Sequence, residues 1–163
     1  MTGRRMIAVS LIALLALSTA ACSSDPAPPR DLLLDSDDFP GESVTEATRE
    51  TGATDLDEPA VQVELVAPRF TVLESLVLFE SEELALAVLA GIKQDQVAQG
   101  VVSFIVDGFD DNSGVMSEQL HGDAASTVFF VEGRALVRIT LSGDRQEENI
   151  WEIARLAREK STS

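Results

Sequence analysis

The sequence predicts an α+β fold, a mainly antiparallel sheet with two helices packed on one face, in the order β-β-α-β-β-β-α. Short apolar segments with the alternation typical of strands recur from residue 61 onward. Two of these segments are joined by Glu132-Gly133, a pair typical of a tight hairpin. Segments 82–99 and 145–159 instead repeat their apolar residues with helical spacing.

The first predicted elements are two strands and a helix. Segment 61–66, VQVELV, alternates like a half-buried strand, and the apolar run 75–80, SLVLFE, suits a more buried one. Ser81 is followed by two glutamates, which favours a helix start because serine caps helices and negative charge suits the helix dipole. Gly100 is predicted to end this helix. Its apolar stripe is Leu84, Ala85, Val88, Leu89 and Ile92.

The second half of the domain is predicted to add three strands and a helix. The strands are expected at 101–106, 126–131 and 134–141, with a polar loop over 107–125. A capping-box spacing that starts at Asp144 precedes the last helix. The alternation of the last strand indicates a second face that is at least partly wet, formed by Leu136, Arg138 and Thr140.

The chain divides where its composition changes. Residues 61–160 form the predicted globular domain, and residues 22–60 are acidic, contain a Ser- and Pro-rich stretch and lack a sustained apolar period, which favours a flexible tether. The whole chain of 163 residues has a formal net charge of −16. Because nucleic acid would repel so acidic a chain, we expect no nucleic-acid partner.

One short apolar cluster interrupts the acidic segment. It consists of Leu32, Leu33, Leu34 and Phe39. One interpretation is a short helical turn that docks on the folded domain. The other is a recognition peptide in which these side chains contact a partner protein.

The N-terminus has the layout of a signal peptide over residues 1–21. Two arginines precede the uncharged segment 6–21, which ends in small residues. The last of these residues, Thr19-Ala20-Ala21, precede Cys22, the only cysteine, and together they resemble a bacterial lipobox. The resemblance implies cleavage before Cys22 and a diacylglycerol group on its thiol, which anchors the chain to the extracytoplasmic face of the cell membrane. An uncleaved membrane anchor and a buried free cysteine are the alternatives.

Few residues suggest chemistry. Oxygen ligands that suit Ca²⁺ cluster at Asp107, Asp110, Asp111 and Asn112, but the EF-hand spacing fails, and we interpret the segment as a polar turn. The single histidine, His121, lies too near Asp123 and Ser126 in sequence to indicate a catalytic triad. We therefore expect no metal site, no cofactor and no enzymatic activity.

Three segments carry a family resemblance: DLLLDSDDFPG, VLFESEELALAVLAGI and HGDAAS…FFVEGRALVRITL. With them the chain resembles actinobacterial-like cell-envelope lipoproteins of an uncharacterised family, and loosely the extracellular sensor domains of bacterial Ser/Thr kinases. The resemblance implies a lipid-anchored extracytoplasmic module that binds or senses a small ligand or an envelope protein. A carrier of an apolar or lipid ligand is the alternative, and a cell-envelope enzyme is a weaker one.

Overall fold

A computed structural model describes residues 30–55, 57–100, 109, 113–143 and 150–161, with backbone alone for Arg30 and for residues 113–118. The strands are β1 (Thr45–Ala53), β2 (Pro59–Val66), β3 (Phe70–Leu78), β4 (Ser113–Leu120), β5 (Asp123–Glu132) and β6 (Ala135–Gly143). The helices are α1 (Glu82–Ala98) and α2 (Ile150–Ser161), and two 3₁₀ helices, Arg30–Leu32 and Ser36–Asp38, precede β1.

The six strands form one antiparallel sheet in the order β1-β2-β3-β6-β5-β4. The predicted α+β class is confirmed, and each predicted strand inside the described residues is present. The described residues give the element order β-β-β-α-β-β-β-α. The additional strand at the start is β1, which lies in the segment predicted to be a tether. Strand β4 and the start of β5 lie in the predicted loop, and the predicted strand 101–106 lies outside the described residues.

The two helices pack on opposite faces of the sheet, not on one face as predicted. Ile153 and Ala154 of α2 belong to the apolar cluster that contains Val137 of β6. Ala85 of α1 belongs to a second cluster, which contains Leu136. Since neighbouring residues of a strand point to opposite faces, the two clusters lie on opposite sides of β6. The face that the sequence predicted to be wet therefore holds a helix at one end.

The core on the α2 side also includes residues from the predicted tether. We call residues 31–39 the strap. Leu33, Leu34 and Phe39 of the strap are 1%, 0% and 8% exposed, and all three pack in the same cluster as α2. The folded unit therefore begins before residue 61. The prediction failed here because β1, which pairs only with β2 among the described strands, has mostly exposed polar side chains and so resembles a disordered segment in composition.

Helix α1 begins as predicted. The hydroxyl of Ser81 accepts a hydrogen bond from the backbone N–H of Leu84 at 3.2 Å, and Gly100 follows the helix with a φ of +80°. Ala85 and Leu89 are buried as expected, whereas Leu84 is exposed. Helix α2 begins at Ile150, and the predicted capping box at Asp144 lies outside the described residues.

Candidate functional site

The sheet face that carries α1 changes from apolar to polar along the strands. Next to α1 lies an apolar row in which Val77 of β3 is paired with Ala60 of β2 and Leu136 of β6. In the next row, Ser75 is paired with Gln62 and Arg138. We call the polar part of this face the polar face; it comprises Gln62, Glu64, Ser75, Thr127, Arg138, Thr140 and Ser142.

The polar face lies on the inside of a curled sheet. The Nε2 atom of His121, in the turn between β4 and β5, lies 2.7 Å from Oε1 of Glu64 on β2. In a flat sheet three strand spacings, about 14 Å, would separate β2 from β5. The sheet must therefore curl toward the polar face, since Glu64 alternates with the buried Val63 and Leu65 of the opposite face.

Hydroxyl groups occupy the centre of the polar face. Thr127 and Thr140 are 0% and 1% exposed, and their hydroxyl oxygens lie 2.8 Å apart. The hydroxyl of Ser75 donates to Oε1 of Gln62 at 3.1 Å. Buried polar groups without such bonds are costly, so these contacts make a polar sheet face compatible with folding.

Arg138 is the cation of the polar face. It is partly buried, and its guanidinium carbon lies 5.7 Å from the centre of the Phe129 ring, in the range of a cation–π interaction. A guanidinium group is planar and carries five N–H donors, which suits carboxylate and phosphate ligands. A guanidinium group at this position can bind a polar anion.

A second polar site lies on the opposite face, beneath the strap. Glu74 of β3 is 0% exposed, and its Oε2 accepts a hydrogen bond from the backbone N–H of Leu34 at 2.7 Å. Its Oε1 is buried and has no hydrogen-bond partner among the described residues. Burial raises the pKa of this carboxyl to about 8, although the Leu34 hydrogen bond acts in the other direction.

Ion pairs hold the strap to α2. Nζ of Lys160 lies 2.6 Å from Asp35 and 2.5 Å from Asp38. The hydrogen bond from Lys160 lowers the pKa of Asp35, against a smaller opposing effect of burial. Burial acts against the charge of Lys160, but the hydrogen bonds to both carboxylates outweigh it and its pKa is raised. Arg49 of β1 adds a hydrogen bond to the carbonyl oxygen of Leu34 at 3.0 Å.

The structure brings together only some of the residues that the sequence singled out. Arg138 and Thr140 both lie on the polar face, but Leu136 is 8% exposed and packs in the α1 cluster. Leu33, Leu34 and Phe39 are buried within their own domain and Leu32 is half-buried against it, which agrees with the docking interpretation and not with the recognition peptide. The calcium candidates and the lipobox residues lie outside the described residues: Asp107, Asp110, Asp111 and Asn112, and Thr19, Ala20, Ala21 and Cys22.

Sequence reasoning missed Glu74 and Lys160. Glu74 did leave a signal, because it alternates with the apolar residues Val72 and Leu76 and so stands at an inward position of β3. A charge at such a position indicates a buried carboxyl with a specific partner. Lys160 left no comparable signal, since it resembles any basic residue in the last turn of a helix.

The described residues offer neither a cluster of metal ligands nor a membrane-spanning helix. No group of three or more His, Cys, Asp and Glu residues there could hold a metal ion. In the same part of the chain, no helix combines the length and the apolar character needed to cross a membrane.

Comparison with solved structures finds a similar fold. The chain is similar to the extracellular domain of PknH from Mycobacterium tuberculosis, with a TM-score of 0.62 and 12% sequence identity over 80% of this chain and 93% of that domain. At this identity the similarity shows a shared fold, which confirms at that level the resemblance to the extracellular domain of a Ser/Thr kinase. No protein-family model and no curated protein matches the sequence.

Proposed function

We propose that this chain is a non-catalytic binding or sensor module, lipid-anchored through Cys22 on the extracytoplasmic face of the cell membrane, with its ligand site on the polar face. Its fold is that of the extracellular domain of a kinase. The lipobox resemblance of residues 19–22 supports the anchor. A domain held at a membrane surface in this way is suited to report the presence of a ligand outside the cell.

The observation that carries the proposal is the composition of the polar face. This face places a partly buried guanidinium group, that of Arg138, in the curled interior of the sheet beside the buried hydroxyls of Ser75 and Thr140. Arg138 stands beside Ser75 in register, within reach of the same ligand. Hydroxyls next to a guanidinium group form a set of hydrogen-bonding groups typical of a binding site for a polar anion.

The ligand is proposed to be a small, anionic, hydroxylated molecule, such as a soluble fragment of the cell wall. Arg138 would bind its carboxylate, while the buried hydroxyls of Thr127 and Thr140, which are hydrogen-bonded to each other, would form the floor behind it. An apolar or lipid cargo is less suited, because the rows beyond α1 contain Arg138 and several hydroxyls, although Leu73 and Phe129 share these rows.

The test is the affinity for muramyl dipeptide, a defined anionic cell-wall fragment, measured by calorimetry with N-acetylglucosamine as an uncharged control. A charge-assisted hydrogen bond contributes about 1.5–3 kcal/mol, so Arg138→Gln is expected to weaken binding by roughly tenfold or more. Arg134→Gln is the matched control, because Arg134 is exposed in the turn between β5 and β6. Equal binding by both variants would reject Arg138 as the anion-binding residue.

A further inference from the structure

The strap covers a buried carboxyl group that has little else to stabilise a charge. Glu74 is paired in register with Val63 of β2 and Ile139 of β6, both 0% exposed. From the strap, the backbone N–H of Leu34 donates a hydrogen bond to Oε2 of Glu74 at 2.7 Å. The strap thus supplies a hydrogen bond to Glu74 and at the same time excludes water from it.

Charged groups face this site from three elements. Asp35 and Asp38 belong to the strap, Lys160 to α2, and Arg49 to β1. Lys160 is held by the two strap carboxylates, and Arg49 donates to the carbonyl oxygen of Leu34. The neighbours on β2 and β6 are aliphatic. With the strap closed, the two cations that face this site among the described residues are thus engaged by the strap, and Arg49 is also ion-paired with Glu46 of β1.

Ionisation of Glu74 therefore conflicts with the closed strap. A carboxylate needs several hydrogen bonds or a direct ion pair when buried, and here one oxygen has no partner among the described residues. Movement of the strap away from β3 would admit water to both oxygens. The same movement would withdraw Asp35 and Asp38 from Lys160, leaving its ammonium group next to the new charge.

We propose that the strap, residues 31–39, is a pH-sensitive cover that closes over Glu74 while its carboxyl is protonated and opens when that carboxyl ionises. Opening would expose Leu33, Leu34 and Phe39 and lengthen the segment between Cys22 and the sheet. The cover lies on the sheet face opposite the polar face, so this proposal does not depend on the proposed ligand site. Because burial raises the pKa of Glu74, the change falls in the mildly alkaline range.

Hydrogen exchange of the full chain tests the proposal. Exchange rates in peptides covering 31–39 and 135–141 are measured at about pH 6 and about pH 9. The intrinsic rate at each pH is divided by the measured rate, which gives the protection factor. We expect protection of the strap to fall by roughly tenfold to a hundredfold, and that of β6 to fall much less. Glu74→Gln keeps an oxygen for the Leu34 N–H and cannot ionise, so its strap should stay protected at both pH values. Glu83→Gln, an exposed control on α1, should behave like the wild type.

A second measurement covers the case in which Glu74→Gln does not fold. The carboxyl carbon of Glu74 is titrated by NMR in the wild-type chain, and its midpoint should coincide with the loss of strap protection. Equal strap protection at both pH values, equal loss in the strap and in β6, or midpoints more than about one pH unit apart would each overturn the proposal.

Discussion

At the scale of single residues, the unusual feature is a carboxyl group in the core. Glu74 is 0% exposed and stands between aliphatic partners on β2 and β6. Natural cores rarely contain an acidic residue without a cation in direct contact. Among the described residues, Glu74 has one hydrogen-bond donor, the backbone N–H of Leu34, so the protonation state of Glu74 must influence the stability of the domain.

The first prediction concerns pH. Burial raises the pKa of Glu74 to about 8, and the folded state therefore holds a proton that the unfolded state releases near pH 4.5. The contribution of Glu74 to the free energy of unfolding is therefore fully present below about pH 4.5 and is lost as the pH rises to about 8. The total loss is roughly 2–5 kcal/mol. Urea unfolding at about pH 5, 6.5 and 8 measures the slope.

Glu74→Gln should remove most of that slope and make the variant more stable than the wild type at about pH 8. Glu83→Gln is the control and should keep the wild-type slope, because Glu83 is exposed. A wild-type free energy of unfolding that does not change over this range would contradict the account of Glu74.

The second prediction concerns Cys22, on which the proposed location depends. Cys22→Ser removes the thiol that would carry the diacylglycerol, and two or more acyl chains are needed for stable anchoring. The variant should appear as unprocessed precursor or in the soluble fraction, without incorporated fatty acid. Fractionation with metabolic fatty-acid labelling measures this, and a variant that is still processed and membrane-bound would contradict the lipoprotein assignment.

At the scale of elements, the strap acts as part of the core. The α2 face of the sheet is covered by α2 near β5 and β6 and by the strap near β3, where Phe39 lies 5.7 Å from Phe70. Among the described residues, three elements thus cover the sheet: the two helices and the strap.

The third prediction measures that contribution. Leu34→Ala leaves a cavity at a position that is 0% exposed, so the free energy of unfolding should fall by about 2–5 kcal/mol. Leu156→Ala is the matched control on α2, where the side chain is 37% exposed, and should cost less than about 1 kcal/mol. Denaturant unfolding of both variants measures the difference, and equal effects would indicate a strap that does not contribute to the core.

Sequence reasoning worked for elements whose pattern is dominated by burial. Helix α1 has a serine cap and an apolar stripe, and β6 alternates cleanly, so both were predicted close to their observed bounds. It failed for β1 and the strap for a common reason. The backbone of the edge strand β1 is hydrogen-bonded to β2, while its side chains stay in water. The few leucines of the strap lie in an acidic segment and show no hydrophobic periodicity.

At the scale of the whole molecule, two polar sites lie back to back on one sheet. Glu74 faces the strap, while Ser75, the next residue of β3, belongs to the polar face. Alternation along a strand thus separates the proposed pH-sensitive site from the proposed ligand site. The sequence indicated Arg138 and Thr140 as neighbours because they share a strand, but the contact between His121 and Glu64 depends on the curl of the sheet. Such long-range geometry cannot be read from local periodicity.

The most direct test of the central claim is to locate a bound ligand on the sheet. An NMR titration of the ¹⁵N-labelled chain with muramyl dipeptide would map the amides whose shifts change. We predict changes concentrated at residues 71–75, 125–128 and 138–142, with little change in the strap or α1. Saturable changes confined to the strap or to the exposed side of α1, with none at Arg138 and its neighbours, would contradict the assignment of the polar face as the ligand site.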